Sequence, residues 1–357
     1  MKFSHGILVS LLLLTALVGG FFTVRTHETR SSSQMASVAQ SIPNTQENCI
    51  DEGAENFPCY ESYYERLVHV HGISAAFKDL KARYPHSAFV QAQCHQLSHA
   101  IGHTASELYP TAARAFAEGD SFCWSGYYHG VMESLVLERA GESLPEIVQT
   151  LCEDIPGKES YSFDYYNCVH GLGHGAMTMI DGELFRALDV CGTLPQPWER
   201  SVCAGGVFME NVMAETRTGT SPYFLRDDPL YPCNAVADTY KEQCFLMQTS
   251  HILAVSDYDW KAVFTICAAV ELPYRTACYQ SIGRDASGQT ISNAENTFSL
   301  CALGETPEAR SQCITGAVKD FVSYFHSDTQ AYGLCDMLTA ASRKTCRATV
   351  ASYYELF

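Results

Sequence analysis

The 357-residue chain opens on an almost unbroken apolar run, Gly6 to Val24, behind Lys2, and a polar low-complexity segment from Thr26 to Glu47 follows. That pattern predicts a secretory signal peptide or an N-terminal membrane anchor over residues 1–25 and a flexible polar linker over 26–48. No A-x-A-like cleavage site follows the run, so both forms stay open. Further on, the most regular apolar signal is cysteine. All 16 cysteines lie at or after Cys49 and none forms a CxxC pair. This predicts a disulfide framework in an extracytoplasmic compartment (secreted, periplasmic or N-terminally anchored) rather than a thiolate metal site.

From Cys152 onward the cysteines alternate between short and long gaps, pairing Cys152 with Cys168, Cys191 with Cys203, Cys233 with Cys244, Cys267 with Cys278, Cys301 with Cys313 and Cys335 with Cys346. The second members recur at intervals of 35, 41, 34, 35 and 33 residues, the period of stacked helical hairpins. Prolines mark the turns: Pro197, Pro273 and Pro307 each stand between two paired cysteines, and proline suits the first turn of a helix while ending the one before it. Two antiparallel helices would bring each pair face to face. We therefore expect six intra-hairpin disulfides, each contributing roughly 3 kcal/mol in the chain-entropy model.

Extending the period backward makes Cys123 and Cys94 second-helix cysteines, with first helices around Ile73–Tyr84 and Thr111–Glu118. The predicted fold is all-α: about eight hairpins over residues 49–357, stacked as an open α-solenoid or a closed α/α toroid. Histidine-rich repeats fill 72–181 and cysteine-paired repeats fill 182–357. Cys49, Cys59, Cys94 and Cys123 remain, with three possible pairings, one of which joins Cys94 to Cys123. The hairpin of about 34 residues resembles tetratricopeptide and Sel1-like repeats, and a disulfide per hairpin resembles the secreted cysteine-rich Sel1-like proteins. The resemblance spans residues 72–357, concerns architecture only and implies no binding function.

Three second helices carry unusual chemistry: Cys94-His95-Gln-Leu-Ser-His99-Ala-Ile-Gly-His103, Cys123 to Glu133 with His129 inside it, and Cys168-Val-His170-Gly-Leu-Gly-His174. Side chains four residues apart share a helix face. At about 100° per residue, measured from each repeat's cysteine, His99, His103, His129, Glu133, His170 and His174 fall between about 140° and 280°, away from the disulfide. These six are the candidate metal ligands. Imidazole with carboxylate, the thiols being spent in disulfides, suits zinc, iron or copper.

Glu133 and His174 are the candidate catalytic residues, Glu133 as ligand or as general base on metal-bound water. Met209 and Met213 occupy equivalent positions in the next repeat, a hint of copper. Glu210 and His251 fall near 340° and are expected to face their own hairpin partners in structural roles. His95 is a poorer ligand by the same measure, and His69 and His71 precede the first hairpin as surface residues. Tyr127, Tyr128, Tyr165, Tyr166 and Asn167 flank the cluster. Gly126, Gly171, Gly206 and Gly316 recur three residues after the cysteine, where another backbone should come close.

Composition changes this picture little. Hydrophobic residues make up 46% and charged residues 18%, an ordinary soluble balance, and the net charge of −17 argues against nucleic acid as a partner. Membrane contact is expected only through the N-terminal segment. GxSxG, HExxH, P-loop and dinucleotide fingerprints are absent. The sequence thus predicts an extracytoplasmic metal-dependent enzyme, hydrolytic with zinc or oxidative with iron or copper. Its rival is an interaction scaffold whose concave face takes a peptide, protein or glycan.

Overall fold

A computed structural model describes residues 56–218, 221–290 and 293–355. The signal or anchor, the linker and Cys49 lie outside those residues. The described chain holds seventeen α-helices. Helix α1 (Phe57–His71) precedes α2 (Ile73–Arg83) and α3 (Ala88–Leu108), the first pair. Then come α4 (Ala112–Phe116) with α5 (Gly126–Glu138), α6 (Leu144–Thr150) with α7 (Phe163–Met179), and α8 (Leu184–Cys191) with α9 (Pro197–Thr218). The fifth repeat has α10 (Asp238–Met247) and α11 (Thr249–Val255). The last three pairs are α12 (Trp260–Ala268) with α13 (Leu272–Gln289), α14 (Ala294–Cys301) with α15 (Pro307–Phe325), and α16 (Thr329–Asp336) with α17 (Ala340–Tyr354).

Local chemistry sets these boundaries. Pro197, Pro273 and Pro307 stand in the first turns of α9, α13 and α15, as expected. Side-chain oxygens cap several N-termini, Ser87 bonding to the Val90 amide, Ser162 to Tyr165 and Thr306 to Ala309. The fifth repeat departs from the pattern: residues 221–237 are turns, and its second arm breaks at Gln248. The Gln248 amide donates to the carbonyls of Pro229 and Tyr231, both at 2.8 Å, satisfying turn groups that a first helix would otherwise replace.

All six expected disulfides form. Cys152 bonds to Cys168, Cys191 to Cys203, Cys233 to Cys244, Cys267 to Cys278, Cys301 to Cys313 and Cys335 to Cys346. In four of them both partners are helical, so Cys203, Cys278, Cys313 and Cys346 on second helices meet Cys191, Cys267, Cys301 and Cys335 on first helices, as the hairpin reading requires. The other two differ from that reading. Cys152 and Cys233 stand in turns, so their bonds to Cys168 on α7 and Cys244 on α10 tie a turn to a helix. For Cys152 the first helix stops at Thr150, and for Cys233 no first helix forms.

A seventh disulfide joins Cys94 to Cys123 between neighbouring repeats, and Cys59 is also disulfide-bonded. The long second helices lie side by side, α3 against α5, α5 against α7 and α7 against α9, and again α13 against α15. Glycines set this spacing. A methyl group on Gly102 would overlap the Tyr127 carbonyl, one on Gly130 that of His99, and one on Gly206 that of His170. The same seam joins α13 to α15 through Gly283 and Gly316.

The array closes on itself. The Cys123 amide donates to the Tyr324 carbonyl at 2.9 Å, and the Trp124 indole donates to Asp320 Oδ1 at 2.7 Å, so α15 meets the turn before α5. That turn, Cys123, Trp124 and Ser125, has three successive φ values of 62°, 56° and 59°. Left-handed non-glycine residues cost of order 1–2 kcal/mol each. Cys123 therefore lies outside the helix, although the sequence reading placed it inside as an angular reference.

Candidate metal centre

Four adjacent helices converge on one buried polar cluster. Helix α3 contributes His95, His99 and His103, α5 contributes His129 and Glu133, α7 contributes His170 and His174, and α9 contributes Glu210. The glycine seam is what brings them together: without side chains at Gly102, Gly130, Gly173 and Gly206 the helix axes approach closely, and residues one turn away reach the neighbouring helix. His99, His129, His170 and His174 are at most 3% exposed and Glu133 is 6% exposed. The His103 side chain remains 42% exposed.

Glu133 is the hub. Its Oε2 lies 2.8 Å from His103 Nε2, and its Oε1 lies 3.3 Å from His99 Nδ1 and 3.6 Å from His174 Nδ1. Behind it, His174 Nδ1 donates to Glu210 Oε2 at 3.0 Å. On the other side His95 Nδ1 donates to the Cys123 carbonyl at 2.8 Å, a bond set up by the strained left-handed turn. A neutral His95 so bonded has a bare Nε2, which accepts from His99 Nε2 at 3.0 Å. His99 then turns a bare Nδ1 toward an ionised Glu133 oxygen. Two lone pairs facing at 3.3 Å call for a proton or a cation between them.

The electrostatics agree with ligands held ready for metal. Burial, reinforced by the neighbouring rings of the cluster, pushes the basicity of His95, His129 and His170 well below the ordinary histidine range. Burial also lowers His99, against the pull of Glu133. Burial works to raise the Glu133 carboxyl, but His99 and the bond from His103 outweigh it and hold it well below the usual carboxylate range. His103 moves the other way, since its bond to Glu133 overcomes burial.

Several buried atoms find no hydrogen-bond partner: His129 Nδ1, Glu133 Oε1, both His170 nitrogens and His174 Nε2. The Val202 carbonyl is near enough to His170 to act on its charge, but it falls outside hydrogen-bonding geometry. An unmet buried polar group costs about 1–3 kcal/mol. Five in one cluster are groups that a bound cation could satisfy together. Ligating atoms of His99, His103 and Glu133 lie within 4.8 Å of one another, as do those of His129, His170 and His174, of Glu133, His174 and Glu210, and of His95, His99 and His129. A pocket of about 150 Å³ reaches this cluster from outside, lined by Phe57, Glu61, Gln93, Gln96, Ala100, His99, His103 and Glu133.

All six sequence-predicted ligands are thus brought together. Two neighbours were assigned elsewhere. Glu210 bonds His174 of the preceding repeat, a partner the angular reading does not give it. The angular reading referred each residue to its own disulfide, whereas the Gly173–Gly206 seam turns this face of α9 toward α7. The signal available was a lone carboxylate in Gly205-Gly206-Val-Phe-Met-Glu210, four residues beyond the seam glycine. His95 likewise belongs to the cluster, and its spacing of four from His99 was the signal.

His251 keeps its structural role, stacked on Phe224 at 4.3 Å and bonded to the Leu225 carbonyl. Met213 Sδ accepts from the Gln96 amide at 3.6 Å. Of the flanking aromatics, Tyr166 stacks on His170 at 5.7 Å, whereas Tyr127 and Tyr165 spend their hydroxyls on Ala115 and Glu199. His69 pairs with Glu107 at the surface.

No family model, curated protein or solved structure matches the chain. The likeness to tetratricopeptide and Sel1-like repeats therefore rests on the helical, disulfide-linked architecture alone. Seven disulfides between described cysteines, with Cys59 also bonded, fit an oxidising, extracytoplasmic setting. Among the described residues no helix is long and apolar enough to cross a membrane.

Proposed function

We propose that the protein is an extracytoplasmic metal-dependent hydrolase whose reaction runs at the pocket-facing group His99, His103 and Glu133. One observation carries this reading: of the groups able to hold an ion, this is the one whose three residues all line the pocket. Two histidines and one carboxylate are the protein half of a catalytic zinc site, leaving a coordination position for water or substrate. The same donor set serves iron(II). A disulfide-forming compartment favours the ion that has no redox chemistry.

Zinc held there would supply Lewis-acid polarisation and lower the pKa of water. The chain's own groups do the rest. Glu133 anchors the site through its bond to His103 and keeps its charge. Gln93 and Gln96 offer amide donors and acceptors to a polar substrate, and Glu61, the other carboxylate of the pocket wall, is placed to take a proton from water. His174 does not line the pocket; it acts as a positioning residue, through Glu133 and Glu210. A pocket of about 150 Å³ admits a small ester or amide group rather than a folded substrate.

The test is elemental analysis of the exported, oxidised protein without a His-tag, together with turnover of ester and amide substrates. Zinc content with turnover, both lost in a folded His103→Ala variant, is the expected result. Turnover that survives chelation, or the absence of any metal after reconstitution, would sink the reading.

A further inference from the structure

We propose that a second metal ion binds on the inner side of Glu133, held by His129, His170 and His174 in a closed, all-histidine site distinct from the pocket-side one. This goes beyond the hydrolase reading, while resting on the same view of the cluster as a metal centre. The ion it fits is a borderline transition metal, zinc or copper: three imidazoles with neither carboxylate nor thiolate suit those ions and not magnesium or calcium, which want oxygen.

Three observations carry it. The rings gather closely, with centroids 4.7 Å apart for His129–His174, 4.9 Å for His129–His170 and 5.2 Å for His170–His174. They are almost completely desolvated, at 2%, 3% and 0% exposure, and none lines the pocket. Above all, the unmet atoms concentrate here: His129 Nδ1, His174 Nε2 and both nitrogens of His170. The Cys123 carbonyl already takes His95, whose other nitrogen faces His99, so His95 has no nitrogen left for this group.

The surroundings show a prepared tautomer. His174 donates Nδ1–H to Glu210, which leaves its Nε2 lone pair bare and oriented, the carboxylate–histidine–metal arrangement of metalloproteins. This gives Glu210, on α9, a reason to be buried. Tyr166 stacks flat on His170 and covers it. An ion here has no route to a substrate in the pocket. It joins α5 to α7 and, through Glu210, to α9, and so holds the hub residue Glu133 from behind.

The test uses the full exported chain, stripped of metal by chelation and titrated with cobalt(II), zinc(II) and copper(II) separately. We expect two ions per chain in the wild type. His170→Asn should keep one, as should His103→Asn, the first retaining the pocket-side ion and the second the inner one. With copper(II) in His103→Asn, electron paramagnetic resonance should show coupling to three nitrogens. His129→Gln serves as a second variant should His170→Asn fail to fold. One ion in the wild type that persists in folded His170→Asn or His129→Gln, or two ions in either of those variants, overturns the inner site; one ion that is lost in His170→Asn but kept in His103→Asn upholds it and defeats the pocket-side reading. Two ions in His103→Asn with one in His170→Asn upholds the inner site and defeats the pocket-side reading instead.

Discussion

At the register position that holds His129 and His174 in the N-terminal half, the C-terminal half places Ser250, Arg284 and Lys319. Both sets are polar, and both sit beside a glycine seam of the same construction, Gly102 with Gly130 in one half and Gly283 with Gly316 in the other. They differ in how their polar atoms are met. Asp285 accepts from Thr249 at 2.5 Å, Ser250 at 2.9 Å and Arg284 at 2.6 Å, while Lys319 donates to Gln280 at 3.0 Å. That network satisfies itself. The histidine cluster lies deeper, with His99, His129, His170 and His174 at most 3% exposed against half-buried Arg284 and Asp285, and yet leaves several nitrogens unmet. A polar interior in a helical array is therefore no sign of a site; unmet lone pairs of one kind in one place are.

The comparison is sharpened first by the feature the halves share. Gly130→Ala and Gly316→Ala should each cost about 3 kcal/mol or more, since the new methyl overlaps backbone rather than a movable side chain. Urea unfolding of the metal-free protein measures both, and a large loss in one half alone would show that the seam is not common scaffold.

The halves should then part. Asp285→Leu strands Thr249, Ser250 and Arg284 and should destabilise by about 3 kcal/mol. His129→Leu removes an unmet nitrogen and should leave the metal-free protein unchanged or up to about 1 kcal/mol more stable, while lowering metal content. The acid limb checks the same point. A histidine whose basicity is depressed in the fold contributes stability above its unfolded pKa of 6.5, and that stability is lost as pH falls below it. The wild-type metal-free protein should thus weaken below about pH 6.5, and His129→Leu should weaken less. Equal pH profiles would break the comparison.

Asp320, where the array closes, gives an effect of the opposite pH sign. Burial pushes its carboxyl up to about 7 from 3.8, partly offset by Ser287, Arg284 and Trp124. The raised value means the fold favours the protonated form, so its contribution is present below pH 3.8 and lost as pH rises through 7. Asp320→Asn keeps an acceptor for the Trp124 indole and should gain about 2 kcal/mol on the wild type between pH 5 and 8 in thermal or urea unfolding. An unchanged difference across that range would mean that Asp320 is ionised in the fold.

The primary sequence by itself determined the periodic features. Cysteine spacing and turn prolines depend on local geometry, which is why most hairpins, six of the disulfides and the starts of α9, α13 and α15 were legible. Ligand residue types at spacing four were legible for the same reason: a single helix fixes which side chains share a face. Only the tertiary structure decided what depends on two helices at once. It chose the bond from Cys94 to Cys123 among three pairings, closed the array through Cys123, Trp124 and α15, and moved Cys123 out of its helix. It also brought Glu210 and His95 into the cluster, because the axial spacing set by glycine, rather than the angle to a residue's own disulfide, governs which neighbour a side chain meets.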